Sequence, residues 1–406
     1  MKKRTAAILC VVVAAVCSVV TCYCTLYAVN GNLSVPREEN TAEAWAPLKV
    51  IREIDGKIEG TSIYPFDEDT RQTMEHNAVK GYLTGLGDPY AVWFTKEEFE
   101  EYMEASAGNY VGIGVLVQFD TEANHVRAVR VYEDSPAFEA GILAGDLFME
   151  VDGQDVTGMS LDDVKNLVAG VEGTEVTITL SRNDAPYTVT CIRRALTVTR
   201  VYAQMASDRV GYISISEFYG DADKAFKTAY ENLRGQGMEA LIVDLRDNPG
   251  GEEGVVVNIA DYFMEKGPVI ITEDKDGNRD IGYSTHDPIV DVPVAVLVNG
   301  NSASASELLT ANLKDLGIAT VIGTRTFGKG TVQTFQYLSN GSVVKLTAFR
   351  YLTGQETPVQ DVGVEPDIVT EAEADVSMNY MLRTTDADNQ YQTAIIELER
   401  QLREGK

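Results

Sequence analysis

From about Arg200 to Thr370, short apolar runs alternate with amphipathic segments, and this feature most narrows what the chain can fold into. Val210-Gly211-Tyr212-Ile213-Ser214-Ile215, Ala240-Leu241-Ile242-Val243-Asp244-Leu245, Val294 to Val298 and Ala319-Thr320-Val321-Ile322-Gly323 read as strands. Ala222 to Leu233, Val255 to Met264 and Ser306 to Leu316 read as helices, so the stretch is an α/β domain. Thr331 to Leu338 and Ser342 to Leu352 follow as a hairpin across Ser339-Asn340-Gly341. With 406 residues there is room for two or three domains.

The amino terminus sets the compartment. Met1-Lys2-Lys3-Arg4 is basic, and Thr5 to about Val29 carries no charge over a length sufficient to span a bilayer. Residues 1–29 are therefore expected to be an uncleaved signal anchor, one transmembrane helix with its basic end cytoplasmic and the body extracytoplasmic at the cell membrane. Residues 30–42, with Pro36, read as a linker. Residues 43–108 form a helical, acidic module divided by Gly85-Leu86-Gly87-Asp88-Pro89-Tyr90, with Thr95 as N-cap of Lys96 to Glu104. Four of the five cysteines lie in the apolar segment, so the lone Cys191 leaves the body no intrachain disulfide. A net charge of -28 argues against nucleic acid as a partner.

From Tyr110 the hydrophobic period becomes two. Val111 to Val117 and Val126 to Val131 give two strands, Ser135-Pro136-Ala137 opens a short helix, and Phe148 to Gly153 is a strand and turn. Ser160 launches a second helix to Val168, and strands Glu175 to Ser181 and Tyr187 to Ile192 close the series. With the run SPAFEAGILAGDLFMEVDG, residues 109–195 resemble a PDZ domain. That resemblance implies a protein substrate whose carboxyl-terminal tail adds to a sheet edge, its carboxylate held by the backbone of Val111-Gly112-Ile113-Gly114.

No HExxH, paired Cys-x-x-Cys or phosphate-cradling glycine loop is present, and the three histidines fall in the helical module (His76), a PDZ turn (His125) and a loop (His286). No metal and no cofactor is expected. Three segments could carry chemistry. Asn301 to Leu308 places Ser302, Ser304 and Ser306 between a buried strand and a helix start, where free N–H groups favour an oxyanion. Taken alone, Ser304-x-x-Glu307 is also a capping box, the simpler account. Lys329 stands between Gly328 and Gly330 with no acid beside it, as a neutral lysine base requires, although a Gly-Lys-Gly turn is by default exposed. Gln333, four residues on, would share its face in a strand and fix its orientation. Asp244 to Gly251 ends a strand in a Pro-Gly-Gly turn, where a glycine N–H can face a substrate carbonyl.

Together with GLGDPY, YVGIG, DLRDNPGG, SASASE, FGKGTVQ and GVEPD in that order, the chain resembles the carboxyl-terminal processing, or tail-specific, serine proteases across residues 80 to 370. The resemblance implies Ser304 as nucleophile, Lys329 as general base, Gln333 as its companion, and the N–H groups of Gly250 and Ala305 as the oxyanion hole. It implies a multidomain α/β chain with a crotonase-like protease core over residues 196–370, preceded by the PDZ domain and followed by a helical tail, 371–406. That tail and the first module are candidates for a homodimer contact. Members switched on by their PDZ domain often have a basic residue in the turn after the second PDZ helix, whereas that turn here holds Ala169. The rival readings are an exported PDZ adaptor with an inactive protease-like core and a crotonase-like acyl-CoA enzyme.

Overall fold

The computed structural model describes residues 46–405 apart from 65, 107–108, 121–122, 133–134, 184, 198, 374–375 and 377–381. The expected anchor and linker lie outside these residues. Among the described residues no helix is long and apolar enough to cross a membrane. Two compact units divide between Val79 and Lys80.

In the first unit, α1 (Ala46–Thr61) carries Asp55, which pairs at 2.6 Å with Arg71 of α2 (Glu68–Thr84). The expected helical module does not hold together as one piece, because its later part belongs to the second unit. There β1 (Val92–Phe94) and α3 (Lys96–Ser106) follow one another. A capping box starts α3: the Glu98 N–H donates to the Thr95 hydroxyl, and the Glu98 carboxylate accepts the Thr95 N–H at 2.7 Å.

The PDZ module runs through β2 (Asn109–Gly112), β3 (Val115–Asp120), β4 (His125–Val131), α4 (Pro136–Glu139), β5 (Leu147–Val151), β6 (Gln154–Asp155), α5 (Leu161–Val168), β7 (Glu175–Arg182), β8 (Ala185–Ile192) and β9 (Arg194–Thr197). Its main sheet has the order β3-β4-β5-β7-β8, which leaves β3 as an edge; β2 pairs separately with β9. Val126, Ala128, Phe148, Val176, Ile178 and Leu180 fill its core at 0–1% exposure, the inward set of strands that alternate in and out.

The next elements are β10 (Val201–Met205), β11 (Val210–Ile215), α6 (Ala222–Gly235), β12 (Ala240–Asp244), α7 (Glu253–Ala260), β13 (Gly267–Asp274), β14 (Arg279–Ser284) and β15 (Val294–Val298). After them come α8 (Ala305–Asp315), β16 (Ala319–Gly323), β17 (Thr331–Tyr337), β18 (Val343–Thr353), β19 (Ile368–Val369) and α9 (Asn389–Glu404). One sheet has the order β10-β11-β12-β15-β16-β19 and is parallel from β11 onward. A second joins β1, β18, β13 and β14, with β17 also on β18. Both faces of the parallel sheet are covered, as its continuous apolar runs require. Leu241 and Val243 point to the core shared with α6, α7 and α8, whereas Ala240 and Ile242 point to Tyr391, Ala394 and Leu398 of α9.

The segment expected as a separate tail is therefore a core layer. Leu398, fully buried, contributes about 1.5–3 kcal/mol by leaving water. Arg246, at the end of β12, locks the layer in place: its guanidinium binds Asp244 at 2.6 Å and Asp388, the N-cap of α9, at 2.9 Å.

Candidate active site

Two turns at the carboxyl ends of parallel strands meet, the position where open α/β sheets bind ligands. After β15, the Ser302 hydroxyl donates to Leu245 O at 2.7 Å, and the Ala303 N–H and the Ser306 hydroxyl both donate to Asn248 O, at 3.0 and 2.9 Å. Two of the three clustered serines are thus buried and committed to stitching the turns together. The middle one, Ser304, is half-buried with φ 55° and ψ -113°. An ordinary N-cap has β-region angles, so this backbone is not that of a simple helix cap. A non-glycine residue in this region is strained and persists only where its surroundings impose it. A serine on a strained strand-to-helix turn is the local geometry that presents a nucleophile.

Glu307, fully buried, imposes much of that geometry. Its carboxylate accepts the Ser304 N–H at 2.8 Å, the Lys329 N–H at 2.8 Å, the Gly328 N–H at 2.6 Å and the Thr326 hydroxyl at 2.5 Å. All four partners are donors, matched to the acceptor oxygens of the carboxyl group. From the other side the buried Tyr351 hydroxyl faces Ser304 O at 2.9 Å and Lys329 O at 2.8 Å. Burial, with Glu307 nearby, pushes that phenol well above its ordinary range, which keeps it a donor. Ser304 and Lys329 are therefore held by their backbones through two shared side chains. Neither clamp was visible in the sequence, where Glu307 read only as a capping residue and Tyr351 as part of a strand.

The Lys329 side chain is half-buried and its amine lies 4.4 Å from the centre of the Tyr90 ring. Burial, reinforced by the positive charge of Lys345, lowers its pKa, against the opposing pull of Asp88 and Glu307. No hydrogen bond joins the Lys329 amine to the Ser304 hydroxyl or to Gln333 among the described residues. Gln333 donates instead to the Thr331 and Thr347 hydroxyls, at 3.1 and 3.3 Å. The expected same-face pairing assumed an unbroken strand, but Lys329 precedes β17 and the register against β18 slips between Val332 and Gln333.

Gly250 approaches closely: a Cβ there would fall 2.8 Å from Ser304 Cβ and 3.0 Å from Ala305 N, at φ 106°. Its N–H donates to the Asn248 side chain at 2.9 Å, so it is engaged within the turn. Ala305 opens α8, and its N–H has no acceptor among the described residues, as expected in the first turn of a helix.

In the PDZ module, Val111 and Gly112 lie in β2 opposite Ala195 and Arg194, while Ile113 is buried in the core. Gly114 takes φ 81°, where a Cβ would fall 2.3 Å from that of Ser135. Ala169 caps α5, and Arg193 adds positive charge at that helix end to that of Lys165 in the last turn, its guanidinium donating to Val168 O and Glu175 O, each at 2.8 Å. His286 pairs with Asp261, and the Ser284 hydroxyl also donates to Asp261, so that loop offers no serine to the imidazole. Among the described residues no group of three His, Cys, Asp or Glu is placed to hold a metal ion.

A PDZ module ahead of an α/β core that carries a strained serine at its strand ends defines a PDZ-bearing serine peptidase. Residues 209–370 match the model of Peptidase family S41, and residues 127–182 match that of the PDZ domain. The chain is 32% identical over 308 residues to the "Carboxy-terminal-processing protease" of Bartonella bacilliformis, covering 74% of this chain and 70% of that one. It belongs to peptidase family S41, the carboxy-terminal-processing serine proteases. A Staphylococcus aureus protein named "Probable CtpA-like serine protease" is 32% identical over 322 residues, 79% of this chain and 64% of that one. Among solved structures, the photosystem II D1 C-terminal processing protease matches with TM-score 0.58 and 29% identity over 84% of this chain and 97% of that one.

Proposed function

We propose that the chain is an endopeptidase that cuts exported or membrane proteins near their carboxyl-terminal tails through an acyl-enzyme on Ser304, with Lys329 as base. The observation that carries this reading is the strained Ser304 backbone, clamped to that of Lys329 by Glu307 and Tyr351. Neutral Lys329 takes the proton of Ser304 as its Oγ attacks the scissile carbonyl, and returns it to the leaving amine; water then releases the acyl group. The Ala305 N–H supplies one oxyanion donor. The Gly250 N–H supplies the second once it leaves Asn248, a change of partner that substrate binding drives. Gln333 acts at one remove, through Thr347, on the strand that carries Tyr351.

The free edge of β3 supports tail capture by strand addition, with the carboxylate at the Val111 to Gly114 segment. The basic end and uncharged stretch of residues 1–29 support an anchored body on the extracytoplasmic side of the cell membrane.

The test is incubation of the full chain, in detergent, with an unfolded casein beside Ser304→Ala and Lys329→Ala. The wild type should cut and both variants should be silent. Equal cutting by either variant sinks the mechanism, and an inactive wild type whose peptide binding persists favours the adaptor reading.

A further inference from the structure

Tyr90 belongs to a segment that precedes the PDZ module, yet it reaches the lysine of the protease core. Three sets of contacts hold it there. The Asp88 carboxylate accepts the Tyr90 N–H, the Thr347 N–H and the Thr347 hydroxyl, each at 3.0 Å, which ties the turn to the middle of β18. Next in sequence, β1 pairs with β18 from Val92↔Lys345 to Phe94↔Val343, and the Trp93 indole donates to the Ser342 hydroxyl at 3.0 Å. Phe94, Phe99 and Tyr102 pack on one another at ring separations of 5.1 to 6.4 Å, and Phe99 and Tyr102 pack on Phe335 of β17 at 5.1 and 5.8 Å. The segment is therefore built onto the hairpin that follows Lys329, and Tyr90 is its only side chain in ring contact with the Lys329 amine among the described residues.

We propose that Tyr90 is a positioning residue of the proteolytic site: its ring is the wall that keeps the Lys329 amine from water and fixed in place as it exchanges a proton with Ser304. This rests on the reading of Ser304 and Lys329 as a dyad. A lysine base needs a neighbour that displaces water without a full counter-charge, and a ring face does this, because its pull on an ammonium is much weaker than that of a carboxylate, which would hold the amine protonated. The charged groups around the amine are few. Lys345 on β18 disfavours its protonation, and Asp88 in the turn and Glu307 on α8 favour it. Removing the ring lets water solvate the ammonium and leaves Asp88 and Glu307 to dominate. The phenolic hydroxyl has no part in this, so phenylalanine should serve as well.

The experiment is the pH profile of kcat/KM on an unfolded casein for the full chain in detergent, with Tyr90→Ala, Tyr90→Phe and Lys329→Ala in parallel. Tyr90→Ala should move the acid limb up by about one pH unit, with activity about tenfold lower near neutrality and recovering at high pH. Tyr90→Phe should superimpose on the wild type. If Tyr90→Ala does not fold, Tyr90→Gln, which fills part of the space but brings a solvated polar group to the amine, is read in its place. A profile that is unshifted, or lowered by one factor at every pH, overturns the role of Tyr90. An active Lys329→Ala overturns the dyad reading instead, so the two failures are distinct.

Discussion

Of the three serines in the SASAS run, only Ser304 spends no hydroxyl hydrogen on a backbone carbonyl among the described residues. The Ser302 and Ser306 hydroxyls are spent on carbonyls of the β12 turn, and their burial leaves them no route to a substrate. What sets Ser304 apart is a backbone that Glu307 and Tyr351 hold in register with Lys329. Tyr351→Phe tests how much that register matters. One phenolic O–H serves two carbonyls, so its loss leaves buried acceptors unpaired at a cost of about 1–3 kcal/mol. If the bridge also aligns the site, kcat should fall by about tenfold or more with KM little changed, since a misplacement of this kind acts on the transition state. Thermal denaturation gives the first quantity and steady-state kinetics the second. Lower stability with unchanged kcat would reduce Tyr351 to a structural tie.

At the scale of elements, legibility followed locality. The strands β11, β15 and β16 were readable to the residue, because a sheet buried on both faces needs uninterrupted apolar runs. β13 and β14 were not, because the buried run of β13 is only Val269 to Thr272 between half-buried flanks, and β14 is mostly exposed; the Asp276-Gly277 pair at their hairpin was the signal available. The PDZ order was legible, whereas the assignment of residues 80–106 to the protease unit was not, since it depends on Asp88 meeting Thr347, far along the chain. Within the candidate site, motif order singled out segments that the fold brings together around Ser304, Lys329 and Gly250, but the bulge between Val332 and Gln333 leaves no mark on a sequence.

The α9 layer was invisible for the same reason, and it can be tested as an element. Arg246 is 5% exposed between two carboxylates, and its removal leaves Asp244 and Asp388 buried without their counter-charge. Arg246→Ala should therefore cost about 3–5 kcal/mol. Amide exchange should accelerate first in α9, whose N-cap is Asp388, and later in β12. Uniform acceleration through both would mean that α9 has no separate stability.

For the molecule as a whole, the charge balance and the site are joined through acid. With a pI near 4.4, net charge changes sign just as carboxylates begin to protonate, and Asp247 is the carboxylate tied to the turn that carries Ser304. Burial alone would raise its pKa, but the Arg383 guanidinium and the amides of Asn301 and Asn299 hold it at about 2, against 3.8 unperturbed. A depressed folded-state value means that the stabilisation is complete above the unfolded value and disappears as pH falls through the folded one. The difference corresponds to about 2 kcal/mol, present at neutral pH and lost between about pH 4 and pH 2. Because Asn299 and Asn301 open the turn that carries Ser304, protonating Asp247 loosens the serine's own support. Asp247→Asn should be about 2 kcal/mol less stable than the wild type at pH 7, with the gap closing below pH 3. Urea denaturation at a series of pH values reads this directly, and a gap that stays constant down to pH 2.5 would show that the charge of Asp247 does not hold the turn.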